Sequence, residues 1–343
     1  MSGRRGSPRV HVIGNVNVDL IMGPLAPWPA PGTENILPES ALRVGGAAGN
    51  VALAFQALGV PYSLVCNIGD DVFGRWLRQG FGRAGRGLPV APVPTTVSVG
   101  VSHPNGERTF LTSQGHLAVM TLKDALQRLP ARARQGDIAL LLGAFLSPRL
   151  LESYEALIDL LVERGFEIAL DTGWPSEGWS ETIIRRATVW LRACDHLLLN
   201  EMESCALSRQ PDVETAARWL IRKAKPGAAI VIKQGPAGAT GWRGSERVHA
   251  AAPPVKVIDT IGAGGALLDH DRRPRLRLAG EPARGGLHIR LAGEGAALHL
   301  VQQQMVAGLE PDGGTPDDGG TPPLAGPARV EGDLEAPRHQ EID

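Results

Sequence analysis

Asp259-Thr260-Ile261-Gly262-Ala263-Gly264 joins a polar pair to a glycine-rich turn and runs into an apolar stretch that could start a helix. Successive backbone amides at such a turn form an anion hole. Working back along the chain, Lys233-Gln234-Gly235-Pro236-Ala237-Gly238 reads as a strand-to-turn connection that could line a nucleotide. Asn200-Glu201-Met202-Glu203 follows a strand-like run. Asn200 and Glu203 are three apart, so at a helix start they share a face. That pair could orient water around a magnesium–phosphate group or simply cap the helix. Gly45-Gly46-Ala47-Ala48-Gly49-Asn50 leads into a helix. Its paired glycines permit close approach of a ligand to the backbone, with Asn50 as a ligand contact or a cap. Gly14-Asn15-Val16-Asn17-Val18-Asp19 follows the first strand. Its amide and carboxylate could bind a polyol, or Asp19 could serve a turn.

Short apolar runs alternate with helical patterns between these loops. Strands are expected at Val10–Ile13, Ser63–Cys66, Ile138–Leu142, Glu167–Leu170, His196–Leu199 and Ala229–Lys233. Helices are expected at Gly49–Leu58, Asp71–Phe81, Pro148–Arg164 and Asp212–Ala224. This alternation implies a mainly parallel sheet covered by helices. In open sheets of that kind, ligands bind beyond the carboxyl ends of the strands, where all these loops fall. Glu34–Val44 and Thr95–Thr112 break the rhythm and read as antiparallel strands. The second contains Pro104-Asn105-Gly106, a hairpin signal. Such strands could form a small sheet over a site or an ordinary edge hairpin.

Composition narrows the function classes. The 343 residues carry 35 Lys+Arg against 36 Asp+Glu, so charge gives no argument for nucleic acid or an anionic membrane as partner. Cys66, Cys194 and Cys205 have no paired metal-binding spacing. The longest apolar run, Ile138–Leu146, is far shorter than the ~20 residues of a membrane span. A cytoplasmic, soluble protein is expected. A dinucleotide fingerprint fails, because Leu267 stands where the final glycine would be. A P-loop fails, because the sequence contains no Gly-Lys pair.

In their order, these loops resemble the ribokinase-like (PfkB) carbohydrate kinase family over roughly residues 9–264. Gly-Gly-x-x-x-Asn at 45–50 and Asp-Thr-x-Gly-Ala-Gly at 259–264 resemble its two signatures. Gly69-Asp70-Asp71 followed by Gly74, and Asn200-x-x-Glu203, resemble two further family stretches. The resemblance implies a three-layer α/β/α fold, with a mainly parallel sheet and a small β-sheet lid. It implies transfer of the ATP γ-phosphoryl group to a hydroxyl of a sugar or nucleoside, with Mg2+. On that reading Asn17, Asp19, Gly45, Gly46 and Asn50 hold the acceptor. Gly262, Ala263 and Gly264 form the anion hole. Asn200 and Glu203 reach magnesium through water, with no direct protein ligand to the metal. Lys233, Gly235, Gly238 and Thr260 lie along the nucleotide. Exposed lid strands could pair two copies as a homodimer.

The family's catalytic aspartate follows the Gly-Ala-Gly directly, and here that position is Gly265. Glycine cannot act as a base. The chain then runs through Asp269-His270-Asp271-Arg272-Arg273-Pro274, where a buried helix would tolerate neither the charges nor the proline. Residues 1–305 read as the kinase domain and 306–343 as a disordered tail rich in Pro, Gly and acidic residues. The abrupt change at 265 suggests impaired catalysis, a kinase-like ligand-binding protein without catalysis, or a frame-altered gene product.

Overall fold

Ile138–Leu142 is buried at all five positions, as expected of a strand covered on both faces. In the computed structural model, which describes residues 9–104 and 108–252, this strand lies inside an eight-stranded sheet. In chain order the strands are β1 (Val10–Gly14), β2 (Asn17–Gly23), β3 (Glu39–Gly45), β4 (Tyr62–Val65), β5 (Ile68–Gly69), β6 (Val90–Ala91) and β7 (Val97–Ser102). They continue as β8 (Arg108–Thr112), β9 (Ile138–Leu142), β10 (Glu167–Asp171), β11 (His196–Asn200), β12 (Ala229–Lys233), β13 (Ala239–Arg243) and β14 (Glu246–Ala250). The helices are α1 (Ala47–Leu58), α2 (Val72–Gly80), α3 (Leu122–Gln127), α4 (Pro148–Glu152), α5 (Tyr154–Glu163), α6 (Glu181–Leu191), α7 (Glu201–Ser208) and α8 (Val213–Lys223).

The large sheet runs β4-β1-β9-β10-β11-β12-β13-β14. It is parallel from β4 to β12, and β13 and β14 are antiparallel. Alternation along β9 divides two cores. Ala139 and Leu141 join Leu157, Leu161, Trp190 and Leu220, from α5, α6 and α8. Ile138, Leu140 and Leu142 join Ala48, Phe55 and Leu77, from α1 and α2. The result is the expected three-layer α/β/α arrangement. β1 lies between β4 and β9, so the chain leaves it toward one edge and later returns to build toward the other. That reversal is a topological switch point, the usual place for a ligand crevice.

A second sheet, β3-β2-β7-β8, grows from the carboxyl end of β1. β2 pairs antiparallel with β3 and parallel with β7, and β7 pairs antiparallel with β8. This is the expected small sheet. Its composition differs from the sequence reading in two ways. Strand structure begins at Glu39, not Glu34. Asn17 and Asp19 sit within β2, not on a loop. The helix expected over Pro148–Arg164 is interrupted at Ser153, which separates α4 from α5. The expected tail and the charged run after Asp269 lie outside the described residues.

Candidate functional site

Asn17 and Asp19 are two apart on β2, so their side chains share a face of the second sheet. Both are buried. The Asn17 Nδ2 group donates to Asp19 Oδ1 at 2.6 Å and to Ser98 Oγ at 3.1 Å. Gly45 lies against the carboxylate. A Cβ there would stand 2.2 Å from Asp19 Cγ and Oδ1 and 2.3 Å from Oδ2. Gly46 has φ 84° and caps α1 without a side chain. A Cβ there would stand 2.5 Å from the Asn15 carbonyl and 2.8 Å from Asn17 Oδ1. The glycine pair therefore lets the β3–α1 connection press its backbone onto Asn17 and Asp19. Asn50 is half-buried in the first turn of α1, and it is not the cap. Burial pushes the Asp19 carboxyl up to about 6, against the downward pull of the Asn17 bond and the Arg43 charge.

A second group of polar side chains stands at adjacent strand ends of the large sheet. Asp171 ends β10, Asn200 ends β11 and Lys233 ends β12, with Asn200 and Lys233 in register. Lys233 Nζ donates to Asp171 Oδ2 at 2.9 Å. Asn200 and Glu203 form a reciprocal cap on α7. The Glu203 N–H donates to Asn200 Oδ1 at 2.7 Å, and the Asn200 N–H donates to Glu203 Oε2 at 2.9 Å. The capping reading of this pair is thus realised, with Glu203 Oε1 and the Asn200 NH2 outside the box. Burial, then Asp171, push the Glu203 carboxyl up to about 7, opposed by Lys233 and the Asn200 N–H. Burial works to lower the Lys233 pKa, but Asp171 and Glu203 outweigh it and hold it above its ordinary value. Gly235 and Gly238 form the turn after β12, both at positive φ. A Cβ on Gly238 would come within 2.0 Å of the Ala250 carbonyl, so the turn folds tightly onto β14.

The stretch Gly69-Asp70-Asp71 with Gly74 proves to be a brace. Asp71 Oδ1 accepts from the Gly74 N–H at 2.8 Å and the Thr95 hydroxyl at 2.5 Å, and Oδ2 accepts from the Thr95 N–H at 2.7 Å. A Cβ on Gly74 would stand 2.0 Å from the Gly69 carbonyl. Next to it, His116 Nδ1 accepts from the Thr96 N–H at 2.9 Å, and Nε2 donates to the Val16 carbonyl at 3.0 Å. Burial pushes this ring down to about 4. Asp71 and His116 together tie down the chain where it enters β2 and β7 and where it leaves β8.

The structure therefore gathers Asn17, Asp19, Gly45, Gly46 and Asn50 at one place, and Asn200, Glu203, Lys233, Gly235 and Gly238 around the ends of β11 and β12. Thr260, Gly262, Ala263, Gly264 and Gly265 lie outside the described residues. Sequence reasoning missed Ser98, Asp71 as a brace, His116 and Asp171. Two of these gave a local signal: Asp171, a carboxylate at the end of an apolar strand, and Asp71, an acidic residue opening an expected helix. Among the described residues no group of three or more His, Cys, Asp or Glu side chains could hold a metal ion directly. No helix among them is long and apolar enough to cross a membrane.

Comparison with known proteins agrees with this architecture. The model of the pfkB family of carbohydrate kinases matches residues 7–267. A fructokinase of Klebsiella pneumoniae is 26% identical over 245 residues, covering 68% of this chain and 78% of that protein. An aminoimidazole riboside kinase of Salmonella typhimurium is 28% identical over 273 residues, covering 76% of this chain and 78% of that protein. The crystal structure of aminoimidazole riboside kinase from Salmonella enterica, complexed with aminoimidazole riboside and an ATP analogue, matches with TM-score 0.58 at 25% identity. That match covers 75% of this chain and 81% of the other. The glycine-rich connections, the parallel sheet with its small second sheet, and a family match over most of the length converge: this chain belongs to the pfkB family of carbohydrate kinases.

Proposed function

We propose that this chain binds ATP and a sugar or nucleoside and transfers the γ-phosphoryl group to an acceptor hydroxyl, slowly, because Gly265 stands at the base position. The observation that carries the acceptor half is Asp19, a buried carboxylate flattened against Gly45 and bonded to Asn17. A buried carboxylate with one oxygen engaged by an amide can accept from a polyol hydroxyl with the second, a charge-assisted bond. Fructose and aminoimidazole riboside, named for relatives, are the acceptors to try first.

The ends of β10, β11 and β12 suit the nucleotide half. Lys233 brings a buried positive charge, and Asp171 and Glu203 bring oxygen donors suited to a hydrated hard cation. This set fits magnesium held through water by Asn200 and Glu203. Bound ATP and magnesium would supply the phosphoryl group and charge neutralisation. The chain's own part is positioning: Asp19 and Asn17 orient the acceptor, while Gly235 and Gly238 keep the β12–β13 turn close. By family resemblance, the amides of Gly262, Ala263 and Gly264 would face the transferring group, with Thr260 along the nucleotide. Such chemistry rests mainly on positioning and charge stabilisation. A positioned base adds roughly 10²–10⁴-fold, and Gly265 cannot supply it.

The second reading is a kinase-like ligand-binding chain without catalysis, or a gene product altered by a frame change. The end of the family match at residue 267, two residues past Gly265, favours it. Coding DNA read in the other two frames around codon 265 tests it. An Asp-Ala followed by an apolar helical pattern in either frame supports a frame change, and neither frame containing one rejects it. A homodimer through the small sheet is proposed on its exposed apolar side chains, Leu42, Phe110 and Leu111; ultracentrifugation tests it.

A further inference from the structure

The register of the small sheet places Arg43, Asp19, Ser98 and Thr112 side by side, one on each of its four strands. Asp19 is opposite Arg43 on β3 and Ser98 on β7, and Ser98 is opposite Thr112 on β8. Cross-strand neighbours of this kind share a face and interact. Asp19 and Ser98 are both buried. The side chains connect in sequence. Asn17 Nδ2 lies 2.6 Å from Asp19 Oδ1 and 3.1 Å from Ser98 Oγ, and Ser98 Oγ lies 2.9 Å from Thr112 Oγ1.

We propose that Ser98, backed by Thr112, is a positioning residue for the acceptor site: it holds the Asn17 carboxamide with its NH2 group turned toward Asp19. The inference rests on the reading that Asp19 meets the acceptor. A carboxamide has nearly the same shape either way round but opposite hydrogen-bonding ends. Turned over, Asn17 would set its oxygen against a carboxylate oxygen at bonding distance, acceptor against acceptor. Ser98 selects the productive orientation. Its oxygen accepts from Nδ2. Either hydroxyl of the Ser98–Thr112 pair could be the donor, and we assign that proton to Ser98. A Ser98 hydroxyl committed to Thr112 has only lone pairs to offer Asn17. The remaining Nδ2 contact, to the Val18 carbonyl at 3.3 Å, is long and comes from the neighbouring residue. Asn17 in turn carries the hydrogen bond that favours the charged form of Asp19. The charged side chain acting on Asp19, Arg43, comes from β3 on the opposite side from Ser98. Removing the Ser98 hydroxyl therefore alters the carboxylate through Asn17 and leaves Arg43 in place.

The test needs no acceptor. Carbon-13 NMR of the side-chain carboxyls, with the Asp19 signal assigned by its loss in Asp19→Asn, gives the Asp19 titration midpoint in the full chain. Ser98→Ala should raise that midpoint by at least about half a unit, a roughly threefold change in the acid constant. Ser98→Thr, which restores a hydroxyl, should return it. Thr112→Val should move it in the same direction by less. An unchanged midpoint in folded Ser98→Ala overturns the proposal; if that variant does not fold, an unchanged midpoint in Thr112→Val does so. A separate arm isolates the underlying reading. Binding of fructose and of aminoimidazole riboside by Asp19→Asn, unchanged from the native chain, would remove Asp19 from the acceptor site without touching the Ser98 result.

Discussion

Gly45→Ala is the sharpest perturbation of the proposed acceptor site, because its consequence follows from distance alone. The added methyl would lie 2.2 Å from Asp19 Cγ and Oδ1 and 2.3 Å from Oδ2, whereas ordinary contact begins near 3.4 Å. Gly45 is not among the positive-φ glycines, so its backbone accepts alanine and the strain falls on the carboxylate. Asp19 must retreat by about 1 Å, enough to end a hydrogen bond at its present position and to cost on the order of 10²-fold where geometry matters. Overpacking should cost about 1–3 kcal/mol of stability. A charge-assisted bond lost to the acceptor is worth about 1.5–3 kcal/mol, or roughly 10- to 150-fold in affinity. Gly49→Ala is the control. It lies inside α1, where a Cβ would meet Val44 Cγ1 at 3.3 Å, Val16 Cγ1 at 3.6 Å and Phe81 Cζ at 3.7 Å, none closer than a slight shift can relieve. Calorimetric titration of both variants with fructose and aminoimidazole riboside, beside thermal unfolding, separates binding from stability. Acceptor affinity retained within about twofold by a folded Gly45→Ala would refute the argument that Asp19 holds the acceptor from its place against Gly45.

Acidity should act on two sites with opposite signs. The Asp19 carboxyl, raised to about 6, should lose its charge and its acceptor affinity as pH falls below that value, measurable as a falling association constant. Its raised folded pKa also makes stability decrease as pH rises from the ordinary 3.8 to about 6. His116, lowered from 6.5 to about 4, binds a proton more readily in the unfolded chain. Its contribution, roughly 3 kcal/mol, is full above 6.5 and is lost as pH falls toward 4. Urea denaturation at pH 7 and pH 5 should show a steeper loss for the native chain than for His116→Asn. Asp71→Ala removes a helix cap and the brace on Thr95 and should cost about 2–3 kcal/mol, read as a lower thermal midpoint. Lys233→Met should leave Asp171 and Glu203 without their counter-charge, costing about 3–5 kcal/mol, and should weaken ATP binding while sparing acceptor binding.

What the sequence disclosed follows the range of the interactions. Asn200 and Glu203 are three residues apart, so their shared face was legible, and the reciprocal cap uses that spacing. The buried strands β9 and β12 were legible because both faces are covered and the apolar run is unbroken. Asn17 and Asp19 were legible as a polar pair, but not as part of a strand: Gly14-Asn15 reads as a turn that opens a longer loop. Ser98 reaches Asn17 across 81 positions and His116 reaches Val16 across 100. Pairings at that separation leave no local pattern, because the topology of the small sheet alone brings them together. The break between α4 and α5 is likewise hidden, since Ser153 interrupts a run whose apolar spacing continues on both sides.

The proposed function rests on Gly265 standing at the base position of a kinase site. The most direct measurement is the turnover number of the native chain, saturated with ATP, magnesium and either fructose or aminoimidazole riboside, beside Gly265→Asp. The account predicts turnover well below the roughly 1–100 per second usual for kinases, with a rise of about 10²-fold or more on restoring the aspartate. Native turnover within that usual range would contradict it.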